Sequence, residues 1–257
     1  MKIVAVIPAR MASSRFPGKP LASICGLPMI EHVFKRTAMA KSLEAVYVAT
    51  CDQDIKNATL AFGGEAVMTS AAHERASDRV AEVAESISAD IYVMVQGDEP
   101  LIVPEMIDLA LEPLLTDPTV VCSNLAAPIR DEAELRDPNT IKVAMKKNGD
   151  VLFMTREAIP TRTRLPFSEI PAFKQVCVIP FRRDFLRTYT ALEPTDLERV
   201  ESIDMLRAME HGYAIRMVRS DFVTQAVDTP EDLRRVEEFM KKDPLFEIYG
   251  RRSVNAS

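Results

Sequence analysis

Three cations and a few well-placed carboxylates carry the chemistry that this sequence offers. Residues 7–21 read IPARMASSRFPGKPL and place Arg10, Arg15 and Lys19 just after the apolar run Ile3-Val4-Ala5-Val6-Ile7. That run reads as a fully buried strand of a parallel sheet. Pro17 and Pro20 forbid a regular helix or central strand across the segment beyond it. Three cations therefore gather on a stiffened loop at a strand's C-terminal end, where open α/β sheets bind ligands. Arginine meets phosphate oxygens bidentately and lysine adds a compact point charge, so the set suits a polyphosphate. The plainer alternative is a solvated surface loop.

A second constellation is VMVQGDEP, residues 93–100, where a buried strand ends in Gln96, Gly97, Asp98 and Glu99. A carboxylate at that place suits a hard cation such as Mg²⁺, which takes one or two carboxylates plus substrate phosphates. Gly97 would let the backbone approach a ligand closely. The third is QAVDTPEDL, residues 225–233. Thr229 as N-cap, Pro230 at the first helical position and Asp232 at the third fix a helix start. Asp228, one residue earlier, becomes a candidate second metal ligand. Solvated acids in a turn and a merely well-capped helix are the alternatives. No G-x-G-x-x-G occurs, and Gly18-Lys19 runs into Pro20 without the upstream glycine of a Walker loop.

The elements that must position these residues alternate. Helical periodicity over 27–40, a strand at 45–50, a helix at 54–62, a short strand at 65–69 and a helix at 77–87 with Ser77 as N-cap come after the first loop. A strand at 91–96, a helix at 104–115 and a strand at 119–126 come next. This pattern predicts a mostly parallel sheet covered by helices. From about residue 130 the rhythm changes. Residues 141–155 read as a hairpin turning at Asn148-Gly149, and 159–173 as a proline-punctuated loop. A single strand over 175–181, one amphipathic helix over 196–212, a strand at 214–220 and a final helix at 229–242 complete the chain. The expected organisation is a nucleotide-binding core (1–130), a β-rich insertion (131–195), a return to the core (196–245) and a poorly ordered tail (246–257).

The chain has 257 residues, 47% hydrophobic and 27% charged, with a formal net charge of −6. Those figures describe an ordinary soluble α/β protein and argue against a nucleic-acid binder. The four cysteines lack metal-ligand spacing and read as reduced thiols. No apolar run approaches a membrane span, and the N-terminus opens directly on a strand without a signal peptide. The expectation is a cytoplasmic protein.

Taken together, the three motifs resemble those of the CMP-Kdo synthetases, or 3-deoxy-manno-octulosonate (Kdo) cytidylyltransferases. DPNTIKV at 137–143 and TREAIP at 155–160 also match. The resemblance extends from residue 1 to about 240. It implies a Rossmann-like, GT-A-like nucleotidyltransferase fold, a homodimer with residues 131–195 as candidate interface, and a Mg²⁺-dependent reaction. In that reaction CTP and an acidic 2-keto sugar give a CMP-sugar and pyrophosphate, a step of lipopolysaccharide biosynthesis. It assigns Lys19, Arg10 and Asp98 to catalysis, and Asp98 and Asp228 to the metal. Nucleotide contacts fall to Arg10, Ser14, Arg15, Lys19, His73 and Ser77. Acceptor contacts fall to Gln96, Arg162, Arg164, Gln175, Glu198 and Asp204. His32 and His211 read as structural.

Departures occur in two places. Ser70, Ala72, Arg75 and Ala76 stand where the family has Arg, Asp, Ser and Gly. Gln175, Cys177, Ile179 and Phe181 stand where its sugar-binding strand has His, Gly and two Tyr. Lost hydroxyl and imidazole groups predict different acceptor contacts. The acceptor is therefore Kdo or another acidic compound, such as an amino-Kdo, a nonulosonic acid or a phosphonate. A nucleotidyltransferase using another nucleotide and a non-catalytic nucleotide-binding protein are the remaining alternatives.

Overall fold

The computed structural model describes residues 1–12, 15–161, 163–222 and 224–253. The chain divides into two compact units, one made of residues 1–108 with the stretch from 224 onward, the other of residues 109–223. The inserted unit thus begins earlier and ends later than the expected 131–195. It takes in the strand and helices on either side of the β-rich stretch.

In the first unit, β1 (Ile3–Ala9) is followed by a 3₁₀ turn at Lys19–Leu21 and a small hairpin of β2 (Ser23–Ile24) and β3 (Leu27–Pro28). Then come α1 (Met29–Thr37), β4 (Ala45–Thr50), α2 (Gln53–Ala61), β5 (Glu65–Met68), α3 (Ala76–Ser86) and β6 (Ile91–Val95). The order β6-β1-β4-β5 is parallel throughout, with Val4 opposite both Ala45 and Tyr92. β1 and β6 are buried along nearly their whole length. This is why their sequences are continuous apolar runs rather than alternating ones. Gly97 serves this packing: a Cβ there would meet the Pro8 carbonyl oxygen at 2.9 Å. The close approach seen here is to the backbone of β1.

The boundary at 108/109 falls inside α4 (Pro104–Thr116). The second unit then holds β7 (Ser123–Pro128), α5 (Glu132–Arg136), β8 (Lys142–Met145), β9 (Val151–Thr155), β10 (Phe173–Val176), β11 (Val178–Arg182), α6 (Arg183–Ala191), α7 (Asp196–Glu201), α8 (Met205–Glu210) and β12 (Arg216–Arg219). Its sheet runs β12-β7-β10-β8-β9, parallel between β12 and β7 and antiparallel elsewhere. The hairpin of β8 and β9 turns at Gly149, whose φ of 90° favours glycine.

Several local expectations change here. The strand expected over 175–181 is two strands broken at Cys177. The helix expected over 196–212 is two helices, with Ser202 left-handed at φ 52° between them. Tertiary bonds cause that break: the Arg156 guanidinium takes the carbonyls of Glu201 and Ser202 just where the helix would have used them. Arg75, not Ser77, is the N-cap of α3, and Ser77 is buried in its first turn.

Back in the first unit, α9 (Pro230–Met240) starts on the expected capping box of Thr229 and Asp232. The chain then forms α10 (Pro244–Ser253), so residues 246–253 of the expected tail are helical, and 254–257 lie outside the described residues. Tyr249 of α10 is buried and bonded to His32 Nδ1 (2.7 Å) and Arg36 Nε (3.0 Å) of α1. His32 Nε2 meets the Ile24 carbonyl at 2.8 Å, so Nε2 carries the proton and Nδ1 accepts from the phenol. Burial pushes the His32 pKa down from 6.5 to about 4, and burial lifts that of Tyr249 to about 12. The structural assignment of His32 is the direct consequence.

Candidate active site

The site is built at the C-terminal ends of β1 and β6. The loop after β1 closes on itself: the Gly18 amide donates to the Met11 carbonyl at 3.0 Å. Gly18 takes a φ of 75°, which turns the chain into the short 3₁₀ helix that begins with Lys19. Lys19 is thereby aimed at two carboxylates. Its Nζ lies 2.8 Å from Asp98 Oδ2, 3.4 Å from Asp228 Oδ1 and 2.7 Å from the Val227 carbonyl. Arg15 reaches the same Asp228 oxygen at 3.0 Å.

Asp98 and Asp228 are far apart in sequence, and the backbone brings them together. The Val227 amide donates to the Asp98 carbonyl at 2.9 Å. The Thr224 hydroxyl donates to the Glu99 carboxylate, tying the same two segments at a second point. Beneath them lies an apolar cluster of Ile24, Met29, Leu101, Val227, Val236 and Met240, against which Phe16 and Leu233 pack. The neighbours of Arg15 and of Asp228 are thus anchored in one core. The Asp232 carboxylate, already capping α9, also accepts the Asp228 amide at 3.2 Å.

The structure therefore brings Arg15, Lys19, Asp98 and Asp228 together. Arg10 is exposed at the end of β1, and Gln96 is half-buried at the end of β6. His73 pairs with Glu82 through Nε2 at 2.5 Å. Burial opposes ionisation of Glu82, but the Ser70 amide and His73 outweigh it and hold its pKa below the usual range. Ser14 and Arg162 lie outside the described residues.

The remaining acceptor candidates belong to the second unit. Arg164 is exposed, and Gln175 is half-buried on β10 opposite Ala126. Glu198 is fully buried, with both carboxylate oxygens on Arg207 at 2.7 and 2.8 Å and the Thr195 amide at 3.3 Å. That pairing gives it a structural role. Asp204 stands at the start of α8, its carbonyl accepting from the Tyr189 hydroxyl. Ile179 and Phe181 are buried, and Phe181 stacks on Phe185 of α6. These two positions thus fill the core, and of the four departures on that stretch only Gln175 and Cys177 are left partly open.

Sequence reasoning missed Asp52. Its carboxylate accepts the Met11 amide at 2.8 Å, across 41 positions of chain. It also gave no role to the Val227 carbonyl, a backbone group that no side-chain pattern reveals.

Two hard-oxygen side chains face one ammonium group, so the donor set suits a hard divalent cation better than a soft one. Among the described residues no group of three or more His, Cys, Asp or Glu side chains is assembled for a metal. A cation held here would share its shell with ligand oxygens.

A parallel α/β unit with a cationic loop and paired aspartates at its strand ends has the layout of a nucleotidyltransferase. The chain belongs to the cytidylyltransferase family, whose model matches residues 4–220. It is 46% identical over 248 residues to a 3-deoxy-manno-octulosonate cytidylyltransferase of Syntrophotalea carbinolica, covering 94% of this chain and 99% of that one. A protein of the same name from Geobacter metallireducens is 43% identical over 251 residues, with 94% and 99% covered. Among solved structures, a CMP:2-keto-3-deoxy-manno-octonic acid synthetase complexed with CTP is similar at a TM-score of 0.89 and 39% identity, covering 94% of this chain and 99% of that one. A 4-diphosphocytidyl-2C-methyl-D-erythritol synthase from Anaerococcus prevotii shares the fold at 13% identity, with a TM-score of 0.62 over 93% of this chain and 96% of that one.

Proposed function

We propose that this chain couples CTP to Kdo, giving CMP-Kdo and pyrophosphate. The observation that carries the reading is the convergence of Lys19, Arg15, Asp98 and Asp228 at the strand ends. The relatives named for this activity, similar over nearly their whole length, support Kdo as the acceptor.

The anomeric hydroxyl of the sugar attacks the α-phosphorus of CTP. A new P–O bond forms, the bond to the β-phosphate oxygen breaks, and the hydroxyl proton leaves to solvent. Arg10, Arg15 and Lys19 bind and orient the triphosphate. Lys19, held by three acceptors, offsets negative charge as pyrophosphate departs. Asp98 and Asp228 would hold Mg²⁺, which supplies charge neutralisation and orientation of the reacting oxygens. No protein nucleophile is needed for a direct displacement. Gln96 is the proposed acceptor contact of the first unit; Arg164 and Gln175 are the candidates carried by the second, and the arginine chemistry at 164 suits a carboxylate.

We further read the protein as a cytoplasmic homodimer. Among the described residues no helix is long and apolar enough to cross a membrane. Leu152 and Leu165, both more than half exposed within 131–195, support a second copy docking there. Light scattering after gel filtration measures that stoichiometry.

Pyrophosphate release with each of the four ribonucleoside triphosphates, Kdo and Mg²⁺ tests the central reading. Turnover is expected with CTP. A panel of other acidic 2-keto sugars and phosphonates at saturating CTP then tests the acceptor, and a higher kcat/KM for any of them than for Kdo would overturn it.

A further inference from the structure

We infer that Asp52 is a positioning residue for the nucleotide loop, holding the segment that carries Arg15 and Lys19. The inference rests on the assignment of that loop to CTP.

Asp52 stands at the N-cap of α2, where an aspartate ordinarily accepts amide hydrogens of its own helix. Here its side chain makes no such bond. The carboxylate is turned away and accepts the Met11 amide at 2.8 Å. The helix still begins normally, since the Lys56 amide donates to the Asp52 carbonyl at 3.1 Å. A cap that leaves its helix uncapped to serve a loop 41 residues away acts on the loop.

Met11 is the point where such a hold matters most. Its amide goes to Asp52, and its carbonyl accepts the Gly18 amide at 3.0 Å. The two bonds fix the base of the loop: one ties Gly18 back to Met11, and the other pins Met11 to the residue just beyond the end of β4. Lys19 follows directly on Gly18 and must arrive within about 3 Å of Asp98. Small displacements of catalytic groups lower rates by large factors.

Asp52 is itself held. Its amide donates to Thr50 Oγ1 at 3.1 Å, and the Cys51 thiol lies 3.7 Å from its carboxylate. Arg79, buried in α3, approaches the Cys51 sulfur at 3.8 Å and bonds Thr69 Oγ1 and the Ser70 carbonyl. The loop is therefore braced from β4, and β4 in turn from α3.

The experiment compares wild type, Asp52→Ala and Asp52→Asn, all at a temperature where each is folded by circular dichroism. Equilibrium CTP binding is read by calorimetry, and steady-state kcat and KM for CTP are measured alongside. Asp52→Ala is expected to raise the CTP dissociation constant about tenfold, a loss of about 1.4 kcal/mol. Its kcat/KM for CTP should fall at least as far. Asp52→Asn keeps an oxygen that can accept the Met11 amide and should recover most of both. A purely structural role would lower the melting temperature of Asp52→Ala and leave its CTP affinity at the wild-type value, which would overturn the inference. Equal impairment of the two variants would overturn it too, because hydrogen-bond acceptance would not then be what matters. Failure of the wild type to bind CTP would instead refute the assignment of the loop.

Discussion

Lys19→Met is the sharpest probe of the site, because the structure says what the ammonium touches. The lysine side chain is 12% exposed and donates to two carboxylates and one carbonyl. Methionine preserves most of the volume and removes the charge. If Lys19 offsets charge on departing pyrophosphate, its loss resembles deletion of one preorganised donor, about 2–4 kcal/mol of barrier. At about 1.4 kcal/mol per tenfold, kcat should drop by roughly 30- to 1,000-fold. KM for CTP should change by less than about tenfold, since Arg10 and Arg15 remain for ground-state binding. The same substitution removes a cation from between Asp98 and Asp228. Mn²⁺ binding to the nucleotide-free protein, followed by electron paramagnetic resonance, should therefore tighten rather than weaken. Single-turnover rates at saturating CTP, Kdo and metal measure the barrier directly. An unchanged kcat with only a raised KM for CTP would refute the assignment of Lys19 to the transition state.

Particular contacts set three further outcomes. Asp98→Asn and Asp228→Asn should each remove most turnover at limiting Mg²⁺ while circular dichroism stays native; near-normal rates would contradict the carboxylate assignment. His32 is neutral in the fold, with a pKa of about 4 against an ordinary 6.5. Its stabilising contribution is complete above pH 6.5 and is lost as the pH falls from 6.5 to 4, by about 3 kcal/mol in all. Urea titrations at pH 7 and pH 4.5 should show that loss in the wild type and a smaller one in His32→Gln; equal losses would contradict it. Glu198→Ala strands the buried Arg207 and should destabilise the protein by about 3–5 kcal/mol in chemical denaturation.

The parallel core was legible because β1 and β6 are buried on both faces and so spell out apolar runs that end in the turns of the candidate site. The capping box at Thr229 fixed Asp228 for the same local reason. What escaped the sequence was decided at a distance. Ser202 breaks a helix because Arg156, just past the end of β9, claims the carbonyls of Glu201 and Ser202. α10 is ordered because Tyr249 finds His32 and Arg36 more than 210 positions away. Phe181 reads as a lost pocket tyrosine until α6 covers it. Asp52 goes unmarked in the sequence because its partner, the Met11 amide, lies 41 positions away.

The split of the first unit around residues 109–223 also sets a timetable. Asp98 precedes the insertion and Asp228 comes after it, 130 residues later (228 − 98). At about 5–20 residues per second of synthesis, the second carboxylate leaves the ribosome roughly 6–26 s after the first. A growing chain already owns the loop of Arg15 and Lys19, but nothing yet supplies the other acid or the Val227 carbonyl. On the proposed reading, chains that stop early carry the cationic loop without the second acid or the core beneath it, and the reaction centre is complete only when the last few dozen residues fold back.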